Sequence, residues 1–435
     1  MTDQLTDRPQ VETKDRAATE EADAIDLDQG MATADEVDAT ATLDQPVARD
    51  VPDTQPPEPA DEAAQPAESA PKRRSEPADA AVADGAVAPS EAALPALVER
   101  STGRDAHLDN VKFVAIALVV VGHLWGPMLA WSQTLLAAYL LLYTVHMPIF
   151  VLLSGYFSRH FTASPRQARS LVRSVVAPYL IVETGFCLFR YFGDDQQLEF
   201  ALQDPWWVTW FLVTLFFWRL SAPLWRVVRF PIVLAVAISL AAGSQQLTET
   251  FELGRLLQYL PFFVLGMSLR REHFEWLRTR WARIAAVPVL AGAFYLAYVF
   301  APMVSVEWVY WRLGNDELDV TYPVFAGVKL LQLAATVLVI AAVIALVPTR
   351  RLPILTAFGA VSMFAYLLHG FVAKGAEWWG FYDHPFIHTH LGIAVVTLGS
   401  VALTFVLCSP PVQVLFSWAV QPKLDGWMRG GAADR

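Results

Sequence analysis

From residue 108 onward the sequence repeats one pattern, an apolar run followed by a short polar break. An α-helix advances about 1.5 Å per residue, so roughly 20 apolar residues span the ~30 Å hydrocarbon core of a bilayer. Ten such runs are expected, near residues 108–130, 135–157, 172–192, 206–225, 230–243, 254–270, 284–303, 323–347, 354–374 and 389–419. The fifth is the shortest. Pro410-Pro411 breaks the last, because proline removes a backbone donor and clashes with the preceding turn. The pattern rules out an ordinary soluble domain and predicts an all-α, polytopic membrane protein with about ten transmembrane helices.

Charge divides the chain. Residues 1–100 hold 8 Lys/Arg against 24 Asp/Glu, a net of −16, and contain no Phe, Trp or Tyr. The rest holds 24 Lys/Arg against 19 Asp/Glu, a net of +5. A segment that polar cannot bury enough apolar surface to offset its ordering entropy. Residues 1–103 therefore read as a disordered acidic tail without a signal-peptide pattern. A membrane domain follows over 104–422, then a short tail over 423–435. No broad basic surface offers itself to nucleic acid.

The polar breaks alternate in sign. Arg159, Arg166, Arg169 and Arg173 follow the second run, Arg226 and Arg229 the fourth, and Arg270, Arg271, Arg278, Arg280 and Arg283 the sixth. Between them lie acidic breaks: Asp194, Asp195, Glu199 and Asp204, then Glu249 and Glu252, then Asp316, Glu317 and Asp319. Cytoplasmic loops carry the Lys/Arg excess, so both termini are expected in the cytoplasm of a plasma-membrane protein.

Against this apolar background a few polar residues stand out. The stretch Arg104–Trp131, RDAHLDNVKFVAIALVVVGHLWGPMLAW, places Asp109, Asn110 and Lys112 at its mouth and His123 far along it. Lys112 and His123 are eleven residues apart, close to three turns, so they share a face about 16 Å apart along the axis. An ionisable residue at membrane depth is a functional hypothesis by default. Snorkelling of Lys112 to the interface and an interhelical hydrogen bond from His123 are the bland alternatives.

The second run, TVHMPIFVLLSGYFSR, adds His146 at a comparable depth and Ser154-Gly155 nearer its inner end, where small residues also let helices approach. Glu183 lies within the third run and His369 within SMFAYLLHG. The arginines after the second run fit either positive-inside topology or a phosphate-bearing cosubstrate.

Other residues have simpler readings. Trp206, Trp207 and Trp210 fit an interfacial aromatic belt. Cys187 and Cys408 fit buried small hydrophobes. His384, His388 and His390 lack the thiolate or carboxylate company of a metal site, and no metal is expected.

Three segments carry a family resemblance: RDAHLDNVKFVAIALVVVGH, HMPIFVLLSGYFSR and RSLVRSVVAPYL. Together they resemble the integral-membrane acyltransferase-3 family, and within it the fucose 4-O-acetylase-like branch. The later segments WWVTWFLVTLFFW, LLQYLPFFVLGMSLRR and SMFAYLLHG are similar to the same pattern. The resemblance spans roughly residues 103–420. It implies a ten-helix enzyme that moves an acyl group, acetyl by default, from cytoplasmic acyl-CoA to a hydroxyl of a glycan or glycolipid. His123 matches the family's membrane histidine. Lys112 stands where many members have arginine, keeping the charge and losing the bidentate fork. Arg169 and Arg173 match the arginines ahead of the Pro-Tyr pair, here Pro178-Tyr179.

Residues and resemblance converge on acyl transfer. In this reading His123 is the general base, with His146 orienting the acceptor or donating to the oxyanion. Lys112, Arg169 and Arg173 hold the phosphates of acetyl-CoA. Asp109, Asn110, Ser154, Glu183 and His369 complete a polar core. A transporter or flippase for a lipid-linked glycan is the rival class, and internal repeats would be its mark. A signalling protein whose active part is the acidic tail is the third.

Overall fold

The computed structural model describes residues 104–193, 198, 200, 202–244 and 250–424. The expected tail over 1–103, most of the one over 423–435, and Asp194, Asp195, Glu199 and Glu249 lie outside these residues. All regular structure among the described residues is helical. Fourteen helices carry the fold: α1 (Ala106–Trp125), α2 (Gln133–Ser158), α3 (Pro165–Gly193), α4 (Trp210–Trp225), α5 (Pro231–Ala242), α6 (Leu253–Gln258), α7 (Leu260–Ser268), α8 (Arg271–Leu277), α9 (Arg280–Phe300), α10 (Tyr322–Leu346), α11 (Pro353–Ala360), α12 (Ser362–Trp378), α13 (His390–Leu407) and α14 (Pro410–Val420).

The chain is a multi-pass membrane protein. Among the described residues, seven helices are long and apolar enough to cross a bilayer, or eight if the bent pair α11–α12 is one span. The fifth run forms α5, whose 12 residues cover about 18 Å, short of the hydrocarbon core. The sixth run splits at Tyr259 into α6 and α7, with Pro261 in the first turn of α7. The ninth bends by 77° between Ala360 and Ser362. The last run does break at Pro410, as its proline pair predicts.

Local chemistry sets the helix ends. Asp105 caps α1 by accepting from the backbone N–H of His107 at 3.0 Å, and its second oxygen takes a 2.6 Å hydrogen bond from Arg278. Burial raises the pKa of the Asp105 carboxyl; the Arg278 hydrogen bond and charge outweigh this and hold it below the usual carboxylate range. Gly126-Pro127 then tightens the chain into a 3-10 turn over Gly126–Trp131. Ser164 and Gln167 form a capping box at the start of α3, which runs as a π-helix over Val172–Val176.

α1 is the centre of the packing, lying against α2, α11, α12 and α13. Its contact with α11 is backbone to backbone: a Cβ on Gly359 would lie 1.8 Å from the Asp109 carbonyl oxygen. α2 and α7 approach as closely, since a Cβ on Gly155 would lie 2.0 Å from Phe263 O, and one on Gly266 2.0 Å from Leu152 O. Exposed apolar side chains such as Ile284, Val287 and Leu296 on α9 and Leu331 and Leu338 on α10 form the kind of surface that lipid covers.

Candidate active site

Three helices and one turn bring rings together. His123 occupies the last turn of α1, His146 the middle of α2, His369 the middle of α12, and Trp207 the 3-10 turn ahead of α4. The His123 and His369 rings meet edge to face with centroids 5.1 Å apart, and Trp207 stands edge-on to His123 at 4.5 Å. Tyr143 stacks on His123 at 6.3 Å and meets His146 edge to face at 4.4 Å. His146 thus joins the group through a tyrosine ring.

Hydrogen bonds decide the tautomers. His369 Nδ1 lies 2.9 Å from Ala365 O, and His146 Nδ1 lies 2.9 Å from Leu142 O. A carbonyl only accepts, so Nδ1 carries the proton in each ring and Nε2 carries the lone pair. The His369 Nε2 is buried and has no hydrogen-bond partner among the described residues; the same holds for His123 Nδ1. Buried polar atoms are rarely left so, and here two lie on neighbouring rings.

Glu183 supports this site from behind. Its carboxylate is buried and accepts from the Trp206 backbone N–H at 3.1 Å and from the Thr209 hydroxyl. Trp207 lies between those two donors, with a left-handed φ of 49°. That conformation is costly for a bulky residue, and the Glu183 clasp holds it. Sequence reading placed Trp207 in an aromatic belt; its contact with two histidines has no signature in the sequence.

The other candidate residues lie elsewhere. At the opposite end of α1, Asp109 takes Lys112 Nζ at 2.6 Å and Arg104 at 3.0 Å on one oxygen, while its second oxygen is buried without a partner among the described residues. Lys112 Nζ also lies 5.6 Å over the Phe157 ring. Asn110 is fully engaged: it donates to Pro348 O and Arg350 O at 2.8 and 3.0 Å and accepts from Thr356 at 2.7 Å, tying α1 to α11. Ser154 is half-buried on α2, one turn before Ser158, whose hydroxyl is buried and unpartnered among the described residues. Arg169 is half-buried and Arg173 exposed on α3, whose main neighbours are α4, α12 and α14.

No group of three His, Cys, Asp or Glu among the described residues has metal-binding geometry. His388 hydrogen-bonds Tyr382 O at 2.8 Å and packs on Trp131, while His384 accepts from the Phe386 N–H.

A family model described as an acyltransferase domain matches residues 105–409, most of the chain and all of the helices that carry these rings. The chain belongs to the acyltransferase-3 family. It matches no curated protein and no solved structure. Membership makes the chain a membrane acyltransferase with an acyl donor and an acyl acceptor. In such an enzyme, a buried imidazole lone pair such as that of His369 Nε2 suits deprotonation of a nucleophile.

Proposed function

We propose that this acyltransferase is an O-acetyltransferase that moves an acetyl group from cytoplasmic acetyl-CoA to a hydroxyl of a glycan or glycolipid, across the plasma membrane with both termini inside. The observation that carries it is the His123–His369 pair, edge to face at 5.1 Å, each ring with a buried nitrogen that has no partner among the described residues. His123 accepts the proton of the acceptor hydroxyl. The oxygen attacks the thioester carbonyl, the C–S bond breaks, and the departing CoA thiolate takes a proton, so protons balance over the cycle. His369 and His146, each with its Nδ1 proton held by a carbonyl, orient the acceptor by accepting its hydrogen bond at Nε2.

Lys112, at the far end of α1 and about 16 Å from His123 along the axis, sits where the cytoplasmic phosphates of CoA would enter, with Arg169 and Arg173. The alternating loop charges support this orientation. The bent pair α11–α12 also suits the broken helices of a transporter, but the family match favours transfer.

The test uses full-length protein in nanodiscs, labelled acetyl-CoA and membrane glycan from the host. Transfer that vanishes in His123→Ala, with the variant correctly inserted and monodisperse, supports the reading. Undiminished transfer overturns it.

A further inference from the structure

A second polar cluster lies beyond the histidines. Lys329, in the second turn of α10, is 3% exposed. Its Nζ makes one hydrogen bond, to Trp308 O at 3.3 Å, and stands 4.4 Å from the Trp311 ring centroid and 5.6 Å from that of Trp308. None of the ion pairs among the described residues includes it. An ammonium has three donors and a full charge, and a buried charge is retained only with a partner.

The surroundings repeat the deficit. Trp311 Nε1, Gln332 Oε1, Thr336 Oγ1 and Gln258 Oε1 are all buried and without a partner among the described residues. Gln332 and Thr336 lie one and two turns along α10 from Lys329, and the Gln332 amide donates to the same Trp308 carbonyl at 2.8 Å. Gln258 donates to Leu313 O at 2.9 Å, two residues from Trp311. Native interiors leave few such atoms, so Trp311 Nε1 and Gln332 Oε1 beside an ammonium in none of the ion pairs among the described residues are a built feature.

The composition is specific. The amine brings the positive charge that a carboxylate requires, and it stands over the Trp311 ring, whose indole N–H is unpartnered among the described residues. The glutamine oxygens accept from hydroxyls. We propose that this cluster binds a carboxylate-bearing sugar, a hexuronate-type unit of the acceptor. Its place agrees: Tyr310, next to Trp311, lies 5.2 Å from Tyr143, the ring that touches both His123 and His146. The role as an acceptor subsite rests on the acyl-transfer reading; the binding does not. Trp308 and Trp311 seal Lys329 in this state, so the Val306–Trp311 segment shifts to admit the sugar.

The experiment measures binding of labelled glucuronate to the full-length protein in zwitterionic nanodiscs, with no acyl donor present, so its failure leaves the acyl-transfer reading standing. Saturable binding is expected, displaced by unlabelled glucuronate and at least tenfold more weakly by its neutral methyl ester and by glucose. Lys329→Met is expected to weaken binding at least tenfold, and Lys329→Arg to keep it within about threefold. If Lys329→Met does not fold, Trp311→Phe, which deletes only the indole donor and keeps an aromatic ring, is expected to weaken binding at least threefold. No saturable binding, equal displacement by glucose or the methyl ester, or unchanged binding in a folded Lys329→Met or Trp311→Phe protein overturns the proposal.

Discussion

His123 and His369 come from opposite ends of the domain sequence and meet edge to face, 5.1 Å between ring centroids, each with a buried nitrogen that no described residue satisfies. Because the Ala365 carbonyl fixes the proton of His369 on Nδ1, its Nε2 is an acceptor, buried and without a partner among the described residues. If they act as a unit on one proton, their losses do not add. His123→Ala and His369→Ala are each expected to lower kcat by about 10²–10⁴-fold. The double variant should fall no further than the worse single one. Single-turnover transfer from labelled acetyl-CoA reads this, and strictly multiplicative losses would show two independent roles.

Glu183 touches no histidine, yet it clasps the turn that presents Trp207 to His123. Glu183→Ala leaves the Trp206 N–H and the Thr209 hydroxyl without their acceptor, at a cost of about 1–3 kcal/mol. A positioning residue acts on the chemical step: a displacement near 1 Å can cost about 100-fold in rate. The expected signature is a large fall in kcat with KM for acetyl-CoA unchanged, and partial rescue by Glu183→Gln, which keeps one acceptor oxygen. Equal kcat in a folded Glu183→Ala protein would limit the residue to stability.

At the other end of α1, Lys112 and Arg104 share one oxygen of Asp109. If Lys112 also meets a phosphate of the donor, its removal weakens donor binding and spares the chemical step. Lys112→Met should raise KM for acetyl-CoA by about tenfold or more, the equivalent of a lost charged hydrogen bond of about 1.5–3 kcal/mol. Lys112→Arg should keep KM near the original value, since the charge and reach remain. An unchanged KM in Lys112→Met would leave the lysine with only its Asp109 pair.

The Asp105–Arg278 bond gives a pH dependence with a definite sign. The folded-state pKa of Asp105 lies below its unfolded value of about 3.9, so its contribution is complete above that value. It disappears as pH falls through the lower, folded pKa. Melting temperatures of the purified protein should therefore decline below about pH 4, and Asp105→Asn should flatten that decline while lowering stability at pH 7. An identical acid limb in the variant would assign the slope to other carboxylates.

Sequence reading reached the helical membrane fold because hydropathy is local: twenty apolar residues in a row need no partner to be recognised. Hydropathy does not show where a run breaks, because that depends on neighbours. The 230–243 run is apolar throughout but forms only 12 helical residues, and the 254–270 run is continuous in hydropathy but divides at Tyr259. The histidines were visible as single costly residues. Their meeting was not, because which faces of α1, α2 and α12 oppose one another is decided by packing. Trp207 was invisible for the same reason, and so was Lys329, whose burial among tryptophans from a distant loop leaves no pattern in its own helix.

Two glycines separate packing from helix propensity. Gly359 lets α11 lie on α1, since a Cβ there would sit 1.8 Å from the Asp109 carbonyl oxygen, a backbone atom that cannot turn aside. Gly327, inside α10, has nothing within 4 Å of its hypothetical Cβ. Alanine favours a helix over glycine by about 0.5–1 kcal/mol, so Gly327→Ala should raise the melting temperature slightly. Gly359→Ala must instead push α11 away from α1, costing about 1–3 kcal/mol or more and loosening the Asn110–Thr356 hydrogen bond beside it. Because Asp109 and Lys112 share that stretch of α1, the same variant should also raise KM for acetyl-CoA. Thermal melts of both variants in one detergent decide the matter: matching behaviour would mean that the α1–α11 contact is not as tight as the backbone places it.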